Sequence, residues 1–277
     1  MTQPILDSKN QHKANLAGFE LTRANLARHD FSHANLSGAN LTEANLTEAN
    51  LTEANLTEAN LGYTKLYAIN LSGANLTGAN LTFTVLVDAN LSGANLTGAI
   101  LTNANLTRAN LTGCNLTDAN LTGCNLSDAT LAGATLLRTG MEYTALVNVK
   151  LTGAKLSGTK LSGAMFRGSN LTGLDLSGLD LRATNLTRAN LTDTNLSGLD
   201  LSEKFLKNVR LDGANLTNTN LSGSDLTDAD LTDADLTDAD LRGANLRGAN
   251  LRGANLTDTN LTDANLYGTS LYSPKVG

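Results

Sequence analysis

From Leu16 to Leu271 every fifth residue is large and apolar, and no insertion or deletion shifts the phase. Of these 52 positions 49 are leucine; the exceptions are Phe31, Met141 and Phe166. The residue two before each is alanine in 29 cases, as at Ala14, Ala44 and Ala244. The residue just before is mostly Asn or Asp, and the one just after is mostly Thr or Ser. A period of five suits neither a helix, whose faces recur every ~3.6 residues, nor an extended strand, whose faces alternate every two. Recurrent Gly, and the Asn, Thr and Ser that compete for backbone hydrogen bonds, argue further against a long helix. What remains is a chain that turns once per five residues and directs one Leu and one small residue inward each time. A single such unit cannot bury its leucine, so successive coils must stack. Leu46, Leu106, Phe31, Met141 and Phe166 are thereby expected in the core.

The five-residue unit is seen in Ala44-Asn45-Leu46-Thr47-Glu48 and again in Ala104-Asn105-Leu106-Thr107-Arg108. It resembles the pentapeptide-repeat family, and the resemblance covers residues 14–273. It implies an all-β fold, a right-handed parallel β-helix with four sides and four pentapeptides per coil. Fifty-two repeats then give about 13 coils, and at ~4.8 Å per coil a rod roughly 60 Å long. The residues alone give the five-residue face, not the number of faces. Irregular residues do echo at a spacing of 20, as Tyr63 with Phe83, Lys65 with Val85 and Tyr67 with Val87. The expected organisation is an N-terminal cap segment (1–13), one β-helical domain (14–273) and a short tail (274–277).

Composition excludes most other classes. Aromatics make up 4% of the chain, Trp is absent, and the two prolines are Pro4 and Pro274, so an ordinary globular core lacks its usual fillers. No apolar run is long enough for a membrane span, and the first residues lack the apolar stretch of a signal peptide. Two cysteines do not make a disulfide framework, which fits a cytoplasmic setting. The net charge of −6 arises wholly within 211–277, which carry ten Asp against Arg242, Arg247, Arg252 and Lys275.

Several motifs dissolve in the repeat. Asn-Leu-Thr triplets match a glycosylation pattern only because the repeat forces them to. Cys114 and Cys124 hold inward sites and read as small buried hydrophobes. His29 and His33 have opposite registers and should diverge, so no metal site is expected. The Asp-rich stretch from Asp225 to Asp240 sends successive carboxylates to different faces and reads as a solvated surface. No nucleophile with a base, paired carboxylates or glycine loop after a strand is found, so neither catalysis nor a cofactor is expected.

The departures from the repeat are more informative. Tyr63, Tyr67, Phe83, Val85 and Val87 stand where small or polar residues are usual, and form a candidate partner patch of exposed apolar groups. Asp225, Asp228, Asp230, Asp233, Asp235, Asp238 and Asp240 form a candidate acidic belt. Tyr267 and Tyr272 form a candidate dimer end. Lys204 falls at an inward site, costly unless the backbone bulges outward there; residues 137–147 are irregular, and Lys150, Lys155 and Lys160 follow them. The expected function is a non-catalytic scaffold for a protein partner, with no direct nucleic-acid or membrane contact. The family resemblance adds an alternative, a DNA mimic that occupies gyrase as quinolone-resistance members do. An ice-binding face is a lesser alternative, since the Thr columns are broken by Gly and charge.

Overall fold

The computed structural model describes residues 9–270. The chain forms two compact units, Met1–Leu146 with Ala154–Thr159, and Val147–Gly153 with Lys160–Gly277. No helix occurs among the described residues, and none is long and apolar enough to cross a membrane.

In both units the backbone pairs in parallel with itself 20 residues on: Asn45 with Lys65 and Asn50 with Asn70 in the first, Asn195 with Asn215 and Asp230 with Asn250 in the second. Four five-residue faces therefore complete one coil. Each face contributes one bridge, not an extended strand.

The face centred on Leu46 shows why the repeat has five residues. Buried backbone donors must find acceptors, and here all five do. Leu46 N–H donates to the Lys65 carbonyl (2.8 Å), Glu48 N–H to the Tyr67 carbonyl (2.8 Å) and Asn50 N–H to the His29 carbonyl (2.9 Å). Ala49 N–H closes the turn on the Leu46 carbonyl (3.0 Å). The one donor without a backbone partner, Thr47 N–H, is taken by Asn45 Oδ1 at 3.2 Å, and the Thr47 hydroxyl donates to the same oxygen at 2.7 Å. Asn45 Nδ2 then donates to Asn25 Oδ1 in the neighbouring coil (3.2 Å). Asn or Asp before the leucine, and Thr or Ser after it, are thus a side-chain turn of the kind Asx residues favour.

The residue two after the leucine takes the left-handed conformation, with φ of 58° at Glu43, 57° at Glu48 and 65° at Gly73, Ala183 being the exception among the described residues. This is why glycine recurs in that column. The leucines form the core: Leu46 and Leu106 are fully buried, as are Phe31 and Met141 in the first unit, while Phe166 is 2% exposed in the second. Each buried side chain contributes about 1.5–3 kcal/mol. Polar residues at the small inward site keep their hydroxyls satisfied, as Thr64 does on the Leu61 carbonyl (2.6 Å) and Thr139 on the Leu116 carbonyl (2.8 Å). Among the described residues no buried side-chain nitrogen or oxygen lacks a partner.

Candidate functional site

In the first unit Tyr63 and Phe83 occupy the same corner of successive coils. Their rings stack with centroids 5.2 Å apart and planes 15° from parallel. Both are well exposed, at 58% and 45%, and both have positive φ, 60° and 56°. Entering that region costs a bulky residue about 1–2 kcal/mol; in the adjoining coils the same corner carries Glu43 and Asn103. Tyr67 is exposed beside them, whereas Val85 and Val87 are only half-buried, a correction to their reading as exposed groups. Side chains flanking the leucine stack on their counterparts one coil away and are partly covered even when they point outward. Tyr143, at the same corner four coils beyond Tyr63, is 68% exposed with φ of 56°. Sequence reasoning missed it, although its 20-residue phase with Tyr63 was available.

The acidic belt is two populations. Asp225, Asp230, Asp235 and Asp240 precede leucines and serve as turn acceptors, for Thr227, for Thr232 (N–H 3.1 Å), for Thr237 (N–H 3.1 Å) and for Arg242, whose Nη2 lies 2.7 Å from Asp240. The Arg242 hydrogen bond, and for Asp235 the Thr237 hydroxyl, hold the Asp240 and Asp235 carboxyls below the usual carboxylate range. Only Asp228, Asp233 and Asp238 stand exposed at corners. The solvated-surface reading is thereby corrected for the four turn carboxylates.

Stacking charges pair across coils: Arg23 with Glu43 and Arg28 with Glu48 at 2.8 Å, His33 with Glu53 at 3.3 Å. These pairs are exposed and screened by solvent, so they set register more than they stabilise. His29 is buried against Phe31, while His33 meets His12 edge-on at 5.4 Å. No cluster of metal-binding side chains occurs among the described residues. Cys114 and Cys124 are free and buried, and more than plain hydrophobes. Their thiols donate to the Leu91 and Leu101 carbonyls at 2.8 Å, as Thr139 does to Leu116 at the equivalent position. Burial pushes both thiols up to about 12, which leaves them unreactive.

In the second unit the ladder is locally open. Among the described residues Asp180 does not bridge to Asp200, nor Asn185 to Phe205. The cause lies inside: Leu179 stacks on Leu199, and Lys204 on Thr184, at sites that usually hold Ala. Overfilling a packed core displaces its walls. The expected outward bulge at Lys204 is not what occurs. Lys204 stays inward and buried, and its ammonium donates to the Thr184 carbonyl (2.8 Å) and to the Arg182 carbonyl. Desolvation lowers its pKa, while Asp180 and Asp200 act in the opposite sense. Two depressions flank the opening: one of about 470 Å³ beside Lys204 and Phe205, the other of about 370 Å³ lined by Arg167, Thr187, Arg188, Lys207 and Asn208.

A family model of pentapeptide repeats (8 copies) matches the chain in ten segments that together span 12–203 and 206–272. The chain belongs to the pentapeptide-repeat family. Proteins of this family are right-handed quadrilateral β-helices, in keeping with the 20-residue pairing of each unit. The two positions between matched segments are Lys204 and Phe205, at the open ladder. No curated protein matches this pentapeptide-repeat chain in sequence. Among solved structures it is 36% identical to the pentapeptide repeat protein Rfr23 from the cyanobacterium Cyanothece 51142, over 38% of this chain and 85% of that one, with a TM-score of 0.35. It is 32% identical to HetL of Nostoc sp. strain PCC 7120, a pentapeptide repeat protein involved in heterocyst differentiation regulation, over 93% and 89% of the two chains (TM-score 0.21). It is 22% identical to trypsin-treated QnrB1, a plasmid-mediated fluoroquinolone resistance protein, over 64% and 84% (TM-score 0.42).

Proposed function

We propose that this chain is a non-catalytic, cytoplasmic scaffold of thirteen coils in one repeat domain, and that the corner carrying Tyr63 and Phe83 docks a protein partner. The observation that carries this reading is the stacked, exposed aromatic pair held at positive φ. Two exposed aromatic rings side by side, at a corner where most coils carry Gly or a polar residue, supply the amphipathic surface that protein interfaces favour. Tyr67, also exposed, and the half-buried Val85 and Val87 belong to the same candidate surface.

The test is Tyr63→Asn with Phe83→Asn, since Asn tolerates the left-handed region. The fold should be retained, with stability unchanged or raised by about 1 kcal/mol. Capture of the partner from extracts of the native host, read by mass spectrometry, should be lost. Unchanged capture by the double variant overturns the reading.

The DNA-mimic alternative, with gyrase as partner, has less support. A duplex mimic needs free surface charge, and four of the seven belt carboxylates are engaged in turns. The exposed Tyr267 supports a homodimer through the C-terminal coils; its counterpart Tyr272 lies outside the described residues.

A further inference from the structure

We propose that the 370 Å³ depression of the second unit is a binding site for a phosphoryl-bearing anion. Its walls are Arg167, Thr187, Arg188, Lys207 and Asn208: three cations, a hydroxyl and an amide, with no carboxylate. Seven other arginines lie within ion-pair distance of acids, namely Arg23, Arg28, Arg108, Arg138, Arg182, Arg210 and Arg242, while among the described residues Arg247 and Arg252 do not. Among the described residues neither Arg167, Arg188 nor Lys207 has a carboxylate within ion-pair distance. Three clustered cations without a counterion repel one another, and a bound anion relieves that repulsion.

The same wall holds neutral donors that the fold leaves unused. Thr47, Thr192 and Thr237 give their hydroxyls to the preceding Asn or Asp. Thr187 uses only its N–H in this way (3.0 Å to Asn185 Oδ1), and its hydroxyl donates to no group among the described residues. The backbone adds a further donor. At this corner Gly168 N–H reaches the Thr187 carbonyl (3.1 Å) and Asn208 N–H the Thr227 carbonyl (3.0 Å). Between them, among the described residues, the matching bond from Arg188 N–H to the Lys207 carbonyl is not formed, because the ladder opens here. Arg188 has φ of 58°, so its amide lies in a turn of the type that forms anion-binding concavities. Guanidinium forks, an ammonium, a hydroxyl and a free amide together match the several oxygens and multiple charge of a phosphoryl group better than a single carboxylate.

Calorimetric titration of the full chain with inorganic pyrophosphate tests the site. One equivalent should bind, more weakly as salt rises. Arg188→Gln with Lys207→Gln should weaken binding at least about tenfold, the loss of two charge-assisted contacts, with an unchanged circular dichroism melt. Should that pair fail to fold, Arg167→Gln alone should still weaken binding. The control Arg247→Gln with Arg252→Gln removes two cations of the same unit and should leave affinity intact. Absence of binding, or equal losses in variant and control, overturns the proposal. Malonate binding as tightly as pyrophosphate overturns the phosphoryl assignment.

Discussion

Where Asn or Asp precedes the leucine, a single oxygen, its Oδ1, completes the hydrogen bonding of a face, as Asn45 does. Four of the five backbone donors find carbonyls, and the fifth depends on that side chain. Asn45→Ala should therefore cost about 1–2 kcal/mol, the cost of leaving a partly buried amide unpaired. Asn45→Asp keeps the acceptor and should cost distinctly less in the same denaturant titration; equal losses would refute the role given to Oδ1. The preference for Asn or Asp was plain in the sequence, but its cause was not, because period five marks register and says nothing of which donor lacks a partner. The left-handed corner was equally hidden at Tyr63, Phe83 and Tyr143, whose identities gave no hint of positive φ. Acid sensitivity belongs to this scale too. The Arg182 side chain and N–H hold the Asp180 carboxyl at about 2. A depressed carboxylate stabilises the fold above its unfolded pKa of about 4, and that stability is lost as pH falls toward the folded value. The stability difference between wild type and Asp180→Asn should thus narrow steadily from pH 5 to pH 2; a constant gap would contradict the shift.

A coil is the unit of packing, and its neighbours are fixed by residues 20 apart. The inward leucines were legible from the sequence because their phase never slips. The missing rungs at Asp180 and Asn185 were not, because they follow from pairs, Leu179 over Leu199 and Thr184 beneath Lys204, and not from either residue alone. Lys204 at an inward site was noticed, yet its resolution, an ammonium satisfied by carbonyls while the ladder yields, needs the fold. Elsewhere the packing is tight, so Leu106→Ala should cost about 2–5 kcal/mol, in the range for a buried leucine whose surroundings cannot collapse. Leu106→Asp places a charge without a partner there and should unfold the coils around it. Because repeat stability is nearly a sum over coils and their interfaces, hydrogen exchange in that variant should rise near Leu106 first. Exchange that matched wild type would show the inward register to be wrong.

At the scale of the whole molecule the open question is how many copies associate. Tyr267 is 74% exposed, with the Arg247 guanidinium 5.9 Å from its ring centre. An exposed tyrosine beside an arginine has the make-up of an interface, where aromatic residues and Arg are enriched. A two-fold pairing places the same patch on both copies, so a single surface suffices to form and close the dimer. Light scattering should then report twice 28.9 kDa. Tyr267→Asp puts a charge in the centre of that contact, opposite its own copy, and should return the mass to 28.9 kDa while leaving the circular dichroism spectrum unchanged. A wild-type mass that stays at 28.9 kDa across a wide concentration range would refute the dimer. The aromatic corner at Tyr63 and Phe83 lies in the other unit, so Tyr63→Asn with Phe83→Asn should leave the mass at its wild-type value. A dimer lost in that variant would assign the aromatic corner to self-association and remove it as the docking surface for a partner.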